Sequence, residues 1–496
     1  MMIYLSAMFV RARPNRHMKV WLNLISSLMV LQCQAQRLDQ QLSRPHEVEN
    51  QAYYTEIIGR NQHGIYVRKF PQDDRKAYSE ILRFDNGLRL RNQRQFDMQP
   101  EQSLLFTAML DHTPIIITSQ YSNKTDVTSI MGRLLRPGLE DSTENIFLFE
   151  LKDSDQYGHV RIALSEQGDQ IGFCLHEQGD KPQLRYYLYD QHLSKLAEQV
   201  SPLPDNPMQL MAFHFEFPWA IASIKPRRGK KQMRRQQLLI KNLARKEDLT
   251  YQLFKDSTSI AEPNISWHPR DSIFYITGLY QRDKQDVFEG VFWEKVLTKR
   301  EVMGGHFLPF DQALKEDING VLSSLDGLRN LKLRSVVHTA DHHLMLTAEQ
   351  VSVSSQTVSD YNVYNTAQTY TRYYYNFMDV ITMSITPDNH LAWYNVLKKD
   401  QTSVNDAGYY SSFAQFVYPN QVQYYYNDLY RKRANLTKYV VYPNGESESE
   451  IIVRGAEFPG RFIPKEGKQV SAYELFIPAY YQKEGAYLLK IHQRPE

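Results

Sequence analysis

The sequence is poor in the features that staple small secreted modules or announce common enzymes. Only two cysteines are present, Cys33 and Cys174. Cys33 lies in an expected export signal, so the mature chain would keep one thiol and could form no intrachain disulfide. The setting of that thiol, Ile171-Gly172-Phe173-Cys174-Leu175, is that of a buried strand residue. Free cysteine commonly packs there as a small hydrophobe. Charge of either sign is not in excess, with 58 basic and 56 acidic side chains and a net charge of +2. No global field draws a polyanion, and nucleic acid is not expected as a partner. The one basic run, Lys225 to Arg235, contains Pro226 and Gly229 and reads as a solvated loop between strands.

Long apolar runs are also missing. Val20 to Leu31 is nearly continuous apolar sequence, but a membrane span needs about 20 residues, so no transmembrane segment is expected. There is no Gly-x-Ser-x-Gly elbow, no His-Glu-x-x-His helix, no phosphate-cradling glycine loop and no paired cysteines for zinc. No cofactor is therefore expected, and catalytic residues cannot be assigned. A glycosidase on a repeat scaffold would need only carboxylates converging from different repeats, which spacing along the chain does not reveal. Asp153 to Gly158 begins like a calcium loop, but Tyr157 and Leu164 stand where oxygen ligands are required. His338, Asp341, His342 and His343 offer metal-binding chemistry at close spacing, yet adjacent His342 and His343 would face opposite sides of a strand. No metal site is expected.

Export chemistry is present. Met18 and Lys19 open a positive segment, the apolar run follows, and Cys33-Gln34-Ala35 places small residues at a signal peptidase spacing. Residues 1–35 are expected to be a signal peptide cleaved after Ala35, with 1–17 a mis-assigned start. The mature chain would be periplasmic or extracellular. Lipid modification at Cys33 is the alternative, disfavoured by the bulky Gln32 before it.

What the chain has in abundance is tyrosine, 33 residues against 23 Phe and 5 Trp. Tyrosine suits half-buried strands first and binding surfaces second. Short runs rich in Val, Ile, Tyr and Phe alternate with turn clusters of Gly, Asp, Asn and Pro, which is the pattern of many strands. Related units run through Ser165 to Val200, Ser266 to Val302, Leu333 to Leu397 and Tyr409 to Arg454. Counted from Gly59, about seven recur at a spacing of roughly 40 to 60 residues. A unit of this size cannot bury both faces alone, so the units should pack around one axis. The expected fold is all-β, a single β-propeller-like domain of about seven blades over residues 36–496. A solenoid or several sandwiches would also accommodate the strands. A helical insertion is expected at Phe310 to Leu325, from the spacing of Ala313, Leu314, Ile318, Val321 and Leu322. Tyr361 to Tyr375 is too polar for a core strand and reads as a long hairpin tip.

The segment Ser403 to Ser412 concentrates hydrogen-bonding groups, a glycine and aromatic faces. Asn405, Asp406, Tyr409, Tyr410 and Ser411 are the candidate ligand-binding residues, and the mixture suits a sugar or peptide. The alternative is an inter-blade turn in which Asn405, Asp406 and Gly408 shape the backbone and the Ser and Tyr residues satisfy buried groups. The stretch from Arg334 to Asp428, including Leu346-Thr347-Ala348-Glu349-Gln350 and Lys399 to Phe413, resembles uncharacterised exported proteins of the Bacteroidota. That resemblance implies a propeller-like fold and carries no known reaction. The function expected is an exported, non-catalytic binding or scaffold propeller with a protein or glycan partner. An envelope hydrolase with channel carboxylates and a structural subunit of an envelope complex are the alternatives. The oligomeric state is not fixed by the sequence.

Overall fold

The computed structural model describes residues 38–45, 53–71, 78–99, 101–139, 144–152, 157–177, 182–203, 208–215, 219–224, 237–242, 247–252, 258–268, 273–282, 287–297, 302–320, 327–361, 367–430, 433–482 and 485–493. The expected export signal, the basic run at 225–235 and the calcium-like loop at 153–156 lie outside these residues.

Eight antiparallel sheets are formed among the described residues, five of four strands and three of five, and in seven of them the four main strands follow sequence order. Seven are continuous in the chain, spanning 53–97, 102–152, 157–202, 208–252, 258–309, 331–397 and 413–453. The eighth is assembled from both ends, because Leu38–Leu42 pairs with Gly485–Gln493 as its outer strand. The ring thus holds eight blades where the sequence suggested about seven. The missed strand, Leu-Asp-Gln-Gln-Leu, has little apolar signal to announce it.

Burial explains the order within a blade. Second strands are covered on both faces by neighbouring blades, so Ile115, Ile116 and Ile117 are all buried, as are Ile171 through His176. Fourth strands look outward. Lys195–Pro202 and Leu90–Asp97 are exposed over most of their length. First strands of blades 1 and 2, and of blades 3, 4, 5 and 6 in turn, lie side by side, and Lys468–Ser471 of blade 8 touches the first strands of blades 7 and 1. Shared cores join the remaining neighbours, for example Met345 and Val380 of blade 6 with Phe413 and Tyr424 of blade 7. Ile57 and Leu82 of blade 1 likewise pack with Phe476 and Leu488 of blade 8. These contacts close the circle of a β-propeller.

The sequence repeat resides in the hairpins. Six turns share one construction, starting at Asp85, Ser165, Asp190, Thr339, Thr386 and Tyr442. In each, the fourth residue donates its N–H to the carbonyl of the first and adopts a left-handed backbone: Leu88, Gly168, Leu193, His342, Asn389 and Gly445 have φ between 57° and 86°. In several, the first side chain accepts further backbone N–H groups, as Asp85 does from Gly87 and Arg89 and Asp190 from His192 and Ser194. This is the type I turn with a left-handed residue that joins twisted strands. It also fixes His342 as a turn residue. Among the described residues no group of three or more His, Cys, Asp or Glu is placed to hold a metal ion.

Part of the expected helical insertion is described, and residues 321–325 of it lie outside the described residues. The described helix spans Gln312–Asn319, capped by the Asp311 carboxylate, which accepts the Leu314 N–H at 2.7 Å, and ended by Gly320 at φ 85°. Leu314 packs into the core between blades 5 and 6. Cys174 is buried, and burial raises its thiol pKa well above the ordinary range. No helix of the described residues is long and apolar enough to cross a membrane.

Candidate functional site

In an antiparallel four-stranded blade, the hairpin between strands two and three and the link to the next blade fall on the same face. On that face of blade 6 lie the long hairpin of Leu344–Tyr361 and Ala367–Ile385 and the link from Lys398 to Ser412. The two are joined by Gln401–Val404, which pairs with Tyr374 to Phe377 of the hairpin.

The base of the link is a buried ion cluster. The Glu349 carboxylate is fully buried and meets Lys399 Nζ at 2.6 Å and Arg334 Nη2 at 2.5 Å, and it accepts the Ser412 hydroxyl at 2.8 Å. Lys399 also donates to the Phe377 carbonyl and to Gln401 Oε1. Burial lowers the Lys399 pKa, with Glu349 opposing the shift. A carboxylate with two cationic partners and a hydroxyl has its charge balanced locally, which is what allows such a group inside.

Above this base the loop is held at every turn. Asp406 Oδ1 accepts the Ser403 hydroxyl at 2.5 Å and the Gly408 N–H at 2.9 Å. Asn405 exchanges two bonds with Tyr373 of the hairpin, donating its N–H to the Tyr373 carbonyl at 3.0 Å and accepting the Tyr373 N–H on Oδ1 at 2.8 Å. Tyr409 is buried and its hydroxyl accepts the Thr55 N–H of blade 1 at 2.7 Å. Lys465 of blade 8 lies over the Tyr409 ring and donates to the Ala407 carbonyl. Asn405, Ala407, Gly408 and Ser412 all have φ between 54° and 68°. At Gly408 a Cβ would stand 2.2 Å from the Phe377 ring, so only glycine fits. Three non-glycine residues in this region within eight positions concentrate strain on the order of 1–3 kcal/mol each. Such strain survives only where the surroundings over-determine it, as they do here.

The five candidate residues are therefore together in one loop but differ in what they present. Tyr409 and Ser411 are buried, Asp406 caps the turn, and Asn405 is exposed with its amide oxygen engaged. Tyr410 borders a cavity. That cavity, about 470 Å³, is lined by Tyr410, Pro459, Gly460, Arg461, Tyr480, Tyr481 and Gln482. The Arg461 guanidinium lies 5.7 Å from the centre of the Tyr410 ring and has no carboxylate partner among the described residues. Burial is the main cause that pushes the Tyr410 phenol up to about 12, with Tyr480 adding to it and Arg461 opposing. Arg461, Tyr480 and Tyr481 sit 51 to 71 positions beyond Tyr410 in the chain, and no local motif marks them.

A larger cavity of about 780 Å³ opens on the opposite face, across blades 5 to 8. Its wall includes Val337, Met345, Trp393, Val422 and Val441, with His338 and His343 held by Ser266 and Ser384. Of the histidines singled out in the sequence, His338 and His343 thus line an apolar funnel.

No family model and no curated protein matches the chain. Among solved structures it is similar to the β-propeller domain of the Trilobed protease from Pyrococcus furiosus, at 10% identity over 80% of this chain and 94% of that one, with a TM-score of 0.35. It is also similar to the WD40 domain of SCAP from fission yeast, at 8% identity over 92% and 98%, TM-score 0.36. The polysaccharide lyase Uly1 gives 8% identity over 91% and 99%, TM-score 0.36. At these scores the likenesses carry no further argument, and the eight-bladed propeller is established by the strand order and ring contacts of the chain itself.

Proposed function

We propose that the chain is an exported, non-catalytic propeller that binds a glycan on the face carrying the Ser403 to Ser412 loop. The observation that carries this reading is the cavity beside Tyr410, where three tyrosines, a glutamine and the Arg461 guanidinium converge on a rigidly held loop. Aromatic faces stack on sugar rings, while the guanidinium and amide supply directional donors. The loop's many anchors support the reading, because preorganised groups lose little entropy on binding. Glu349 and Glu474 are held inside the blades by cations, Glu474 by Arg60 and Lys490, which supports a structural role for these carboxylates. Export rests on the Met18 to Ala35 segment, and intact mass of protein from the source envelope tests it: the expected chain begins at Gln36.

A screen of the purified chain against immobilised neutral and acidic oligosaccharides tests the binding reading. Binding of at least one class, lost in Tyr410→Ala, is the expected result. Binding unaffected by that substitution would overturn the assignment.

A further inference from the structure

The cavity beside Tyr410 adjoins a second one. The two share Pro459, Gly460 and Arg461, and the second, about 210 Å³, adds Arg433 to its lining. Together they draw on four connections of blades 6 to 8. These are the link carrying Tyr410, the blade 7 hairpin between Gln421–Tyr430 and Arg433–Val441, the link from Val453 to Arg461, and the blade 8 hairpin between Glu474–Tyr481 and Gly485–Gln493. In four-stranded antiparallel blades all of these fall on one face.

The link between blades 7 and 8, Arg454-Gly455-Ala456-Glu457-Phe458-Pro459-Gly460, is held in place along its length. Glu457 and Phe458 both donate their N–H to the Arg454 carbonyl, at 2.8 and 3.1 Å, which closes a turn. Gly455 donates its N–H to Asn435 Oδ1 at 3.0 Å. The Phe458 ring is buried against Phe462 and Tyr487. A Cβ at Gly455 would stand 2.8 Å from the Ala434 carbonyl oxygen and from Arg433 Cβ, and one at Gly460 would stand 2.8 Å from the Tyr480 carbonyl oxygen. The two glycines therefore let the link lie directly against the hairpins on either side, and so bring Arg433 and Arg461 to adjoining cavities.

The charge of the two cavities has one sign. Their lining includes these two arginines and no acidic residue. Glu457, the one acid of the link, turns its carboxylate to the Arg454 N–H at 3.4 Å and lines neither cavity. Among the described residues neither arginine makes an ion pair, and both side chains are exposed. A guanidinium presents planar donors matched to the oxygens of a carboxylate or sulfate, and a concave wall of one sign concentrates the opposite charge. We propose that the glycan bound here is acidic, its anionic substituents held by Arg433 and Arg461 while a sugar ring lies against Tyr410. This rests on the glycan site beside Tyr410 and adds the charge of its ligand. A neutral glycan would leave both guanidinium groups without a counter-charge, whereas a uronic acid or a sulfate ester supplies one.

Matched oligosaccharides test this by isothermal titration of the purified chain. The probes are galacturonate, mannuronate and glucuronate oligomers, each against its methyl ester, and sulfated galactan oligomers against their desulfated forms. Each neutral partner keeps the rings and loses the charge. At least one acidic form should bind tenfold or more tightly than its neutral partner, and added salt should shrink that preference. A preference for the uronates or for the sulfated oligomers identifies which anion is held. Arg433→Gln and Arg461→Gln should each cut the preference at least threefold with melting within a few degrees of wild type, and Arg433→Lys should keep the larger part of it. Equal binding of acidic and neutral forms, still lost in Tyr410→Ala, would overturn the proposal and leave the glycan site standing. Binding of no probe would overturn both. A preference undiminished in the two glutamine variants would overturn the assignment to these arginines.

Discussion

The hydroxyl of Tyr409 accepts the backbone N–H of Thr55 at 2.7 Å, joining residues 354 positions apart in the chain. Tyr409 precedes blade 7 and Thr55 lies in the first strand of blade 1, Tyr53–Asn61, so this bond reaches past blade 8. Lys468 Nζ makes a parallel link to the Ile58 carbonyl at 2.7 Å. The ring is therefore sealed twice, at its rim by the outer strand Leu38–Leu42 and at its axis by these side chains. Tyr409→Phe would leave the buried Thr55 N–H unpaired at a cost of about 1–3 kcal/mol. Urea denaturation should show a lower midpoint with an unchanged slope. An unchanged midpoint would mean that the bond is not made in solution.

Glu349 is the centre of charge beneath the loop. Glu349→Gln leaves Lys399, whose side chain is 1% exposed, without its buried counter-charge. Removing one partner of a buried pair costs about 3–5 kcal/mol, because the remaining charge stays desolvated. The melting temperature should fall by several degrees or more, and the loop should become protease-sensitive near Ser403 to Ser412. A loss below about 1 kcal/mol would place water at the cluster.

Glu466 supplies a pH signature. Burial raises its pKa, Glu56 adds to the rise, and Lys465 and Arg68 oppose it. A raised carboxyl pKa means that the folded state favours the protonated form. Its stabilising contribution is full below the ordinary glutamate range and is lost as pH rises through the folded-state value. Wild type should therefore lose stability relative to Glu466→Gln as pH rises from 4.5 towards neutrality, and the difference should then level off. A difference independent of pH would show that Glu466 ionises as freely in the folded protein as in the unfolded chain.

The fold was legible because turn chemistry is local. Asp85-Asn86-Gly87-Leu88 and Tyr442-Pro443-Asn444-Gly445 carry their geometry in their own residues, and the apolar run at Ile115 to Ile117 announces a strand covered on both faces. The eighth blade was not legible, since its outer strand is polar and lies some 450 positions from its partner. The candidate loop was found through its composition, but composition does not say which way a side chain turns. Tyr409 and Tyr410 are neighbours with the same chemistry; one seals the ring and the other borders a cavity whose remaining walls come from blade 8. Arg461 and Tyr480 reach Tyr410 only through the closure of that ring.

The most direct measurement is the affinity of wild type, Tyr410→Ala and Arg461→Ala for the oligosaccharide that binds best in the screen, by isothermal titration with melting curves on the same samples. The account predicts that each substitution weakens binding at least tenfold, about 1.4 kcal/mol. Melting should stay within a few degrees of wild type for Arg461→Ala, whose side chain is exposed. Equal affinity in all three proteins, or weakening that only follows loss of folded protein, would contradict a glycan site beside Tyr410.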